Sequence, residues 1–358
     1  MSVHEILIAV MAGFAAIGAV DRILGNKLGL GKEFEDGIMA MGSLAMAMLG
    51  IISLAPVLAA VLRPMVVPVY AFLGADPAMF AGTILACDMG GGSLAQEMTA
   101  DPQAALLGGV ICGSMLGATI VFTIPVAMGI LREEDRPALA KGILAGLVTI
   151  PVGILVGGLV AGFPVGMVLR NLIPVVVIAV LIALGLWKAE KAMITGFGWF
   201  GKGITALITV GLAAAIVEEL TGFVLIPGLT PLEEGFQTVG AIAIVLAGAF
   251  PLVAVLTRVL KKPLMKLGHL LGINDTAAAG LVATLANSIA TFGLVKDMDQ
   301  RGKVVNIAFA VSAAFVFGDH LGFTAGFAPE MLPAVILGKL AGGISAVAVA
   351  LFLTRKEE

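Results

Sequence analysis

The sequence predicts an all-α, polytopic integral membrane protein built as two inverted repeats. Three observations carry that prediction: the composition, a recurrence of glycines at one spacing, and the placement of basic residues. Of 358 residues, 59% are hydrophobic and 13% charged, and mean hydropathy is +1.09. A soluble domain carries about 25% charged residues because its surface must face water, so this chain presents most of its surface to lipid. Stretches 142–163 and 239–256 each approach the ~20 apolar residues that span a hydrocarbon core. Glycines number 47 and aromatics are 6%, a composition that lets helix backbones approach closely where lipid supplies no hydrophobic drive. Cys87 and Cys112 lie in apolar runs, which implies inert buried thiols and no disulfide framework. Residues 1–10 lack a basic leader region and a following cleavage site, so they read as the start of a retained span.

Shifting the chain by 198 positions lays Gly37, Gly42, Gly50, Gly74 and Gly82 on Gly235, Gly240, Gly248, Gly272 and Gly280. The same shift pairs Glu35 with Glu233, Ser114 with Ser312 and Lys141 with Lys339. Allowing for all shifts, five coincident glycines arise by chance about once in a hundred sequences of this composition. The expected division is a first repeat over 1–163, a connecting helix over 164–190 and a second repeat over 191–358.

Apolar spans fall near 5–24, 37–62, 102–131, 137–162, 166–187, 203–223, 235–257, 303–329 and 333–354. Regions 64–98 and 263–298 are interrupted by Pro, Gly and polar residues. Basic residues collect on cytoplasmic loops. Here they cluster at Arg22/Lys27/Lys32, Arg132/Arg136, Lys188/Lys191, Arg258/Lys261/Lys262/Lys266, Lys296/Arg301/Lys303 and Arg355/Lys356. All six clusters reach one side only if 64–98 and 263–298 enter and return. That gives about nine full transmembrane helices plus two re-entrant or broken segments, N-terminus outside and C-terminus cytoplasmic. It leaves Arg63 and Arg170 outside, and eleven full crossings are the alternative. Inverted repeats with broken helices are a recurring plan of secondary transporters.

Irregular backbone at membrane depth is tolerated only where it is buried in protein or lines a wet cavity. Asp88 stands beside Gly90, Gly91 and Gly92 with Ser93 following, in an otherwise apolar stretch. A Gly run abandons helix readily and frees backbone groups for a solute; the alternative is that the glycines only permit close packing and Asp88 caps a helix start. The corresponding stretch of the second half carries Asn287 and Ser288. Asp319 and His320 interrupt another apolar span, as a cation site or proton relay, or as a hydrogen-bonded lock between helices. The substrate-binding set is therefore Asp88, Gly90, Gly91, Ser93, Asn287, Ser288, Asp319 and His320. Glu97 reads as a solvated span end, Lys141 and Lys339 as side chains snorkelling to the interface, and Trp187 and Trp199 as an aromatic belt. The sequence carries no metal-ligand spacing, nucleotide fingerprint or serine triad, so no cofactor, no nucleic acid and no enzymatic activity are expected. A solute permease fits best, with a gated channel and an intramembrane acid–base enzyme as the competing readings.

Residues 34–42 (FEDGIMAMG) and 79–91 (MFAGTILACDMGG) resemble the ethanolamine permease family (EutH) of bacterial ethanolamine-utilisation systems. So do 283–287 (ATLAN), 309–315 (FAVSAAF) and 318–323 (GDHLGF), and the likeness runs from about residue 18 to the C-terminus. The loops after 163 and near 227–234 are compact beside those of the family. The resemblance implies uptake of ethanolamine across the bacterial inner membrane by alternating access. On that reading Asp88 and Asp319 would hold the ammonium, Asn287, Ser288 and backbone near 90–92 would bind the hydroxyl, and His320 would orient a carboxylate or couple binding to protonation. The lipid bilayer and this small molecule are the expected partners, and homo-oligomerisation is left open.

Overall fold

The computed structural model describes residues 2–355, so Lys356 of the last basic cluster lies outside the described residues. Every regular element among the described residues is helical. Seven helices are long and apolar enough to cross a bilayer: α1 (Val3–Ile23), α2 (Leu30–Phe72), α5 (Pro102–Ile130), α6 (Glu133–Val160), α7 (Val165–Thr221), α8 (Leu232–Leu270) and Pro329–Leu353, whose α-helical part Leu332–Leu353 is α13. The remaining elements are short: α3 (Ala78–Ile84), α4 (Gly91–Met98), α9 (Asp275–Ala286), α10 (Ser288–Leu294), α11 (Gln300–Ala313) and α12 (Asp319–Phe327). The protein is thus a polytopic helical membrane protein.

At 1.5 Å per residue the 57 residues of α7 extend about 85 Å, far more than the ~30 Å of a hydrocarbon core. The helix bends at Ala189, whose φ of −145° and ψ of 48° are not helical, giving two arms. Trp187 and Trp199 flank the bend and are 76% and 69% exposed. Helices α2 and α8 run to Phe72 and Leu270, further than the irregular regions expected from 64 and 263 onward. Pro64 and Pro68 lie on an exposed side of α2, so the helix loses isolated hydrogen bonds without losing its path.

The two interrupted regions fold back on themselves. Thr99, just past α4, donates its Oγ1 hydrogen to Asp76 Oδ2 (2.9 Å), just before α3. Asn274, capping α9, donates from Nδ2 to the carbonyl of Asp297 beyond α10 (3.0 Å), and its amide donates to Asp299 Oδ1 (2.8 Å). A segment whose two ends are hydrogen-bonded together returns to the level it left. With 7 or 8 residues each, α3, α4 and α10 reach only about 10–12 Å in any case.

Backbone features recur at the 198-residue spacing. Gly74 and Gly272 end α2 and α8 with φ of 69° in each case. The bonds Ala75 N to Tyr70 O and Ile273 N to Gly268 O repeat the same six-residue closure. Asp101 and Asp299 cap the N-termini of α5 and α11. Gly50 of α2 presses its Cα face on the Ile208 carbonyl of α7, and Gly248 of α8 presses on the Met11 carbonyl of α1; neither contact has room for a Cβ. Elsewhere a buried ion pair, Lys303 Nζ to Asp135 Oδ1 (2.5 Å), ties the start of α6 to α11.

Candidate functional site

Three interruptions of helix converge in the interior. In the first hairpin, α3 gives way to extended backbone at Leu85 and Ala86, then to a single tight turn at Cys87–Met89. Gly90 closes that turn with φ of 92°, and any Cβ there would collide with Ile51. Asp88 is thereby held at the hairpin tip. In the second hairpin the tip is Asn287, extended at φ −156° and ψ 121°, whose Oδ1 accepts from the Ile289 amide (2.8 Å). The third interruption separates α11 from α12. Phe315 adopts φ of 62°, a left-handed conformation rare for a bulky residue. The freed amides are satisfied by the second hairpin: Phe315 N donates to Thr284 O (3.2 Å) and Phe317 N to Leu285 O (2.9 Å). Helix α12 restarts at Asp319.

The convergence borders a cavity of about 210 Å³ lined by Asp88, Asp319, His320, Phe122, Phe315 and the exposed Ser43, among others. His320 Nε2 stands 3.7 Å from Asp88 Oδ1. Phe315 lies 5.3 Å from the His320 ring and meets Phe122 edge-to-face at 5.4 Å. Asp319 also lines a second cavity of about 430 Å³, which runs past Asn287 and Thr257 to Glu33 and the exposed Arg258. Asp319 therefore stands between an inner chamber and a vestibule. No side chain among the described residues donates to its carboxylate. Two carboxylates against aromatic faces, in a space for a few heavy atoms, suit a small cation.

Behind His320 lies a residue that sequence reasoning placed wrongly. Lys339, expected to snorkel to the interface, is 1% exposed. Its Nζ donates to the Ser114 carbonyl (2.5 Å) and lies 3.0 Å from His320 Nδ1. The interior supplies acceptors here, so the stem has no reason to reach for water. Lys141, its counterpart at the 198-residue spacing, is exposed as expected. Cys87, Asp88 and His320 offer ligand atoms within 4.8 Å of one another. A divalent ion among them would face the Lys339 ammonium on the far side of the imidazole, which opposes it.

Asp88, Asp319 and His320 are brought together, while Asn287 lines only the vestibule. Gly90 and Gly91 shape the turn instead of facing the cavity; the Gly91 amide donates to Ala86 O (2.9 Å). Ser93 is half-buried, one turn along α4. Ser288 is 0% exposed and its hydroxyl has no partner among the described residues. Reasoning from sequence missed Phe122, Phe315, Ser43 and Lys339. For Lys339 the signal was its pairing with Lys141 at the repeat spacing; for Phe122, its standing 198 positions before His320.

A family model described as "Ethanolamine utilisation protein, EutH" matches residues 3–353. The chain is 59% identical over 356 residues to the probable ethanolamine permease EutH of Listeria monocytogenes serotype 1/2a (strain 10403S), covering 99% of this chain and 95% of the relative. It is 54% identical to the uncharacterized protein YxeR of Bacillus subtilis (strain 168), covering 99% and 96%. It is 50% identical to the probable ethanolamine permease EutH of Salmonella typhimurium (strain LT2), covering 100% and 97%. No solved structure matches the chain.

Proposed function

Because the chain belongs to the EutH family, we propose that it is a permease that carries ethanolamine, as its ammonium ion, across the bacterial inner membrane by alternating access. The observation that carries this reading is the pair of carboxylates, Asp88 and Asp319, lining one small chamber at the meeting point of three helix breaks. An alkylammonium keeps its charge at neutral pH, as the Lys side chain does. A bare cation in hydrocarbon costs several kcal/mol, and a carboxylate pair offsets that cost. Phe122 and Phe315 add aromatic faces, and the Ser43 hydroxyl and Asn287 are suited to the alcohol end. The remaining members of the site, Gly90, Gly91, Ser93 and Ser288, serve by shaping or backing the hairpin tips. At a ceiling of about 1.5 kcal/mol per heavy atom, a solute of about four heavy atoms binds no tighter than tens of micromolar.

Two inverted repeats, nine crossings and two re-entrant hairpins make up the transport unit, with the N-terminus outside and the C-terminus in the cytoplasm. Recurrence of helix ends, caps and glycine crossings at one spacing supports this plan, as does the return of both hairpins to their own side. The vestibule ends at Glu33 and Arg258, and in the proposed orientation that mouth faces the cytoplasm. On this reading the protein acts as a carrier and not as an enzyme. The test is uptake of labelled ethanolamine into proteoliposomes, with and without a pH gradient. Saturable uptake and counterflow are expected. Non-saturating flux without counterflow would indicate a channel, and product formation in detergent would indicate an enzyme.

A further inference from the structure

Next to the chamber, on the far side of His320, stands a basic side chain of the chain itself. Lys339 Nζ sits behind the imidazole of His320, away from lipid and water, on two acceptors: the Ser114 carbonyl at 2.5 Å and His320 Nδ1 at 3.0 Å. An ammonium has donors only, so Nδ1 must be the accepting nitrogen. That assigns the ring proton to Nε2, the nitrogen that faces Asp88 Oδ1 at 3.7 Å. The positive charge of Lys339 is thus relayed through one neutral imidazole to the Asp88 carboxylate. The titratable groups that act on it are Cys87 and Asp88 from the hairpin tip and His320 from α12, with Asp319 acting on Asp88; α5 contributes the Ser114 carbonyl.

We propose that Lys339 is a built-in counter-cation of the carboxylate site, taking from within the chain the place that a co-transported metal cation would otherwise fill. Two carboxylates and one ammonium leave the site with one negative charge in excess, so it accepts one monovalent organic cation and needs no sodium. This second half rests on the substrate reading above; the assignment of His320 does not. Among the described residues the arrangement exists once. At the position of His320 in the first half stands Phe122, and the first-half lysine, Lys141, is exposed.

A merely structural role for Lys339 would leave the protonation of His320 unchanged, whatever the loss of one buried charge costs in stability. Lys339→Met is therefore the informative variant. Its histidines, His4, His269 and His320, are few enough to resolve by nitrogen-15 NMR of labelled protein in lipid, with His320→Asn assigning the signal. In the parent protein His320 should be neutral with its proton on Nε2. In Lys339→Met the imidazole should become the cation facing Asp88, carrying protons on both nitrogens at neutral pH. Identical His320 signals in the two proteins overturn the proposal whatever the transport result. In proteoliposomes the parent should take up ethanolamine at the same rate in sodium and in N-methylglucamine buffer. Lys339→Met should lose at least tenfold in rate while remaining folded by size exclusion. A sodium requirement in the parent, or full activity in the variant, also overturns the counter-cation. If the parent moves no ethanolamine yet the His320 signals change as stated, the substrate reading fails and the assignment of Lys339 stands.

Discussion

Asp88 and Asp319 reach the chamber by different routes, one on a hairpin tip and one on the first turn of a restarted helix, and neither has a charged partner in direct contact. Losing one partner of a buried charge pair costs about 2–5 kcal/mol, so Asp88→Asn and Asp319→Asn should each lower ethanolamine uptake about 30-fold or more without loss of folded protein. Full activity in either variant removes that carboxylate from the site. Phe122 contributes a ring face, an interaction of about 0.5–2 kcal/mol, so Phe122→Leu should raise the KM for uptake by about 2- to 30-fold at little cost in stability. An unchanged KM would make the ring mere packing. The two carboxylates and His320 were legible in the sequence because an ionisable group in an apolar run is conspicuous. Phe122 and Phe315 were not, since phenylalanine is what apolar spans are made of. Lys339 was misread because position along a span gives depth but not the face on which a side chain points.

Helix interruptions, more than helices, build this molecule's interior. Each hairpin is pinned at its mouth by polar contacts, Thr99 with Asp76 in the first and Asn274 with Asp297 and Asp299 in the second. Asp76 also caps α3 through the Ala78 amide (2.8 Å), and its own amide donates to Asn171 Oδ1 (2.7 Å). Asp76→Ala should therefore loosen the whole first hairpin, seen as faster hydrogen–deuterium exchange over 78–98 with other helices unchanged. Uniform exchange across the protein would contradict that local role. The buried pair of Lys303 and Asp135 makes a related prediction. Removing one partner costs about 3–5 kcal/mol, whereas removing both is far milder, so Lys303→Met should melt well below Lys303→Met/Asp135→Leu. The order of the two melting temperatures decides it. Sequence pattern located the interruptions but not their extent: α2 and α8 continue through Pro64 and Pro263, because a packed helix absorbs a lost hydrogen bond. Nor could pattern show the left-handed Phe315, which depends on carbonyls supplied by a distant hairpin.

At the scale of the whole molecule, one glycine pair at the 198-residue spacing sits at helix crossings, while Gly42 and Gly240 face open space. Gly50 meets the Ile208 carbonyl and Gly248 meets the Met11 carbonyl, so the second helix of each half leans on the first of the other. The proposed orientation is tested by cysteine labelling in intact cells, where Cys87 and Cys112 are buried and contribute little background. An impermeant thiol reagent should modify Pro227→Cys in the loop after α7 and spare Lys262→Cys; the reverse pattern would invert the topology.

The most direct test of the account is a structure determined with ethanolamine bound. The ammonium nitrogen should lie within about 4 Å of a carboxylate oxygen of Asp88 or Asp319, against the rings of Phe122 and Phe315. Density for the solute confined to the vestibule near Glu33 and Arg258, or at a place where neither carboxylate reaches it, would contradict the account.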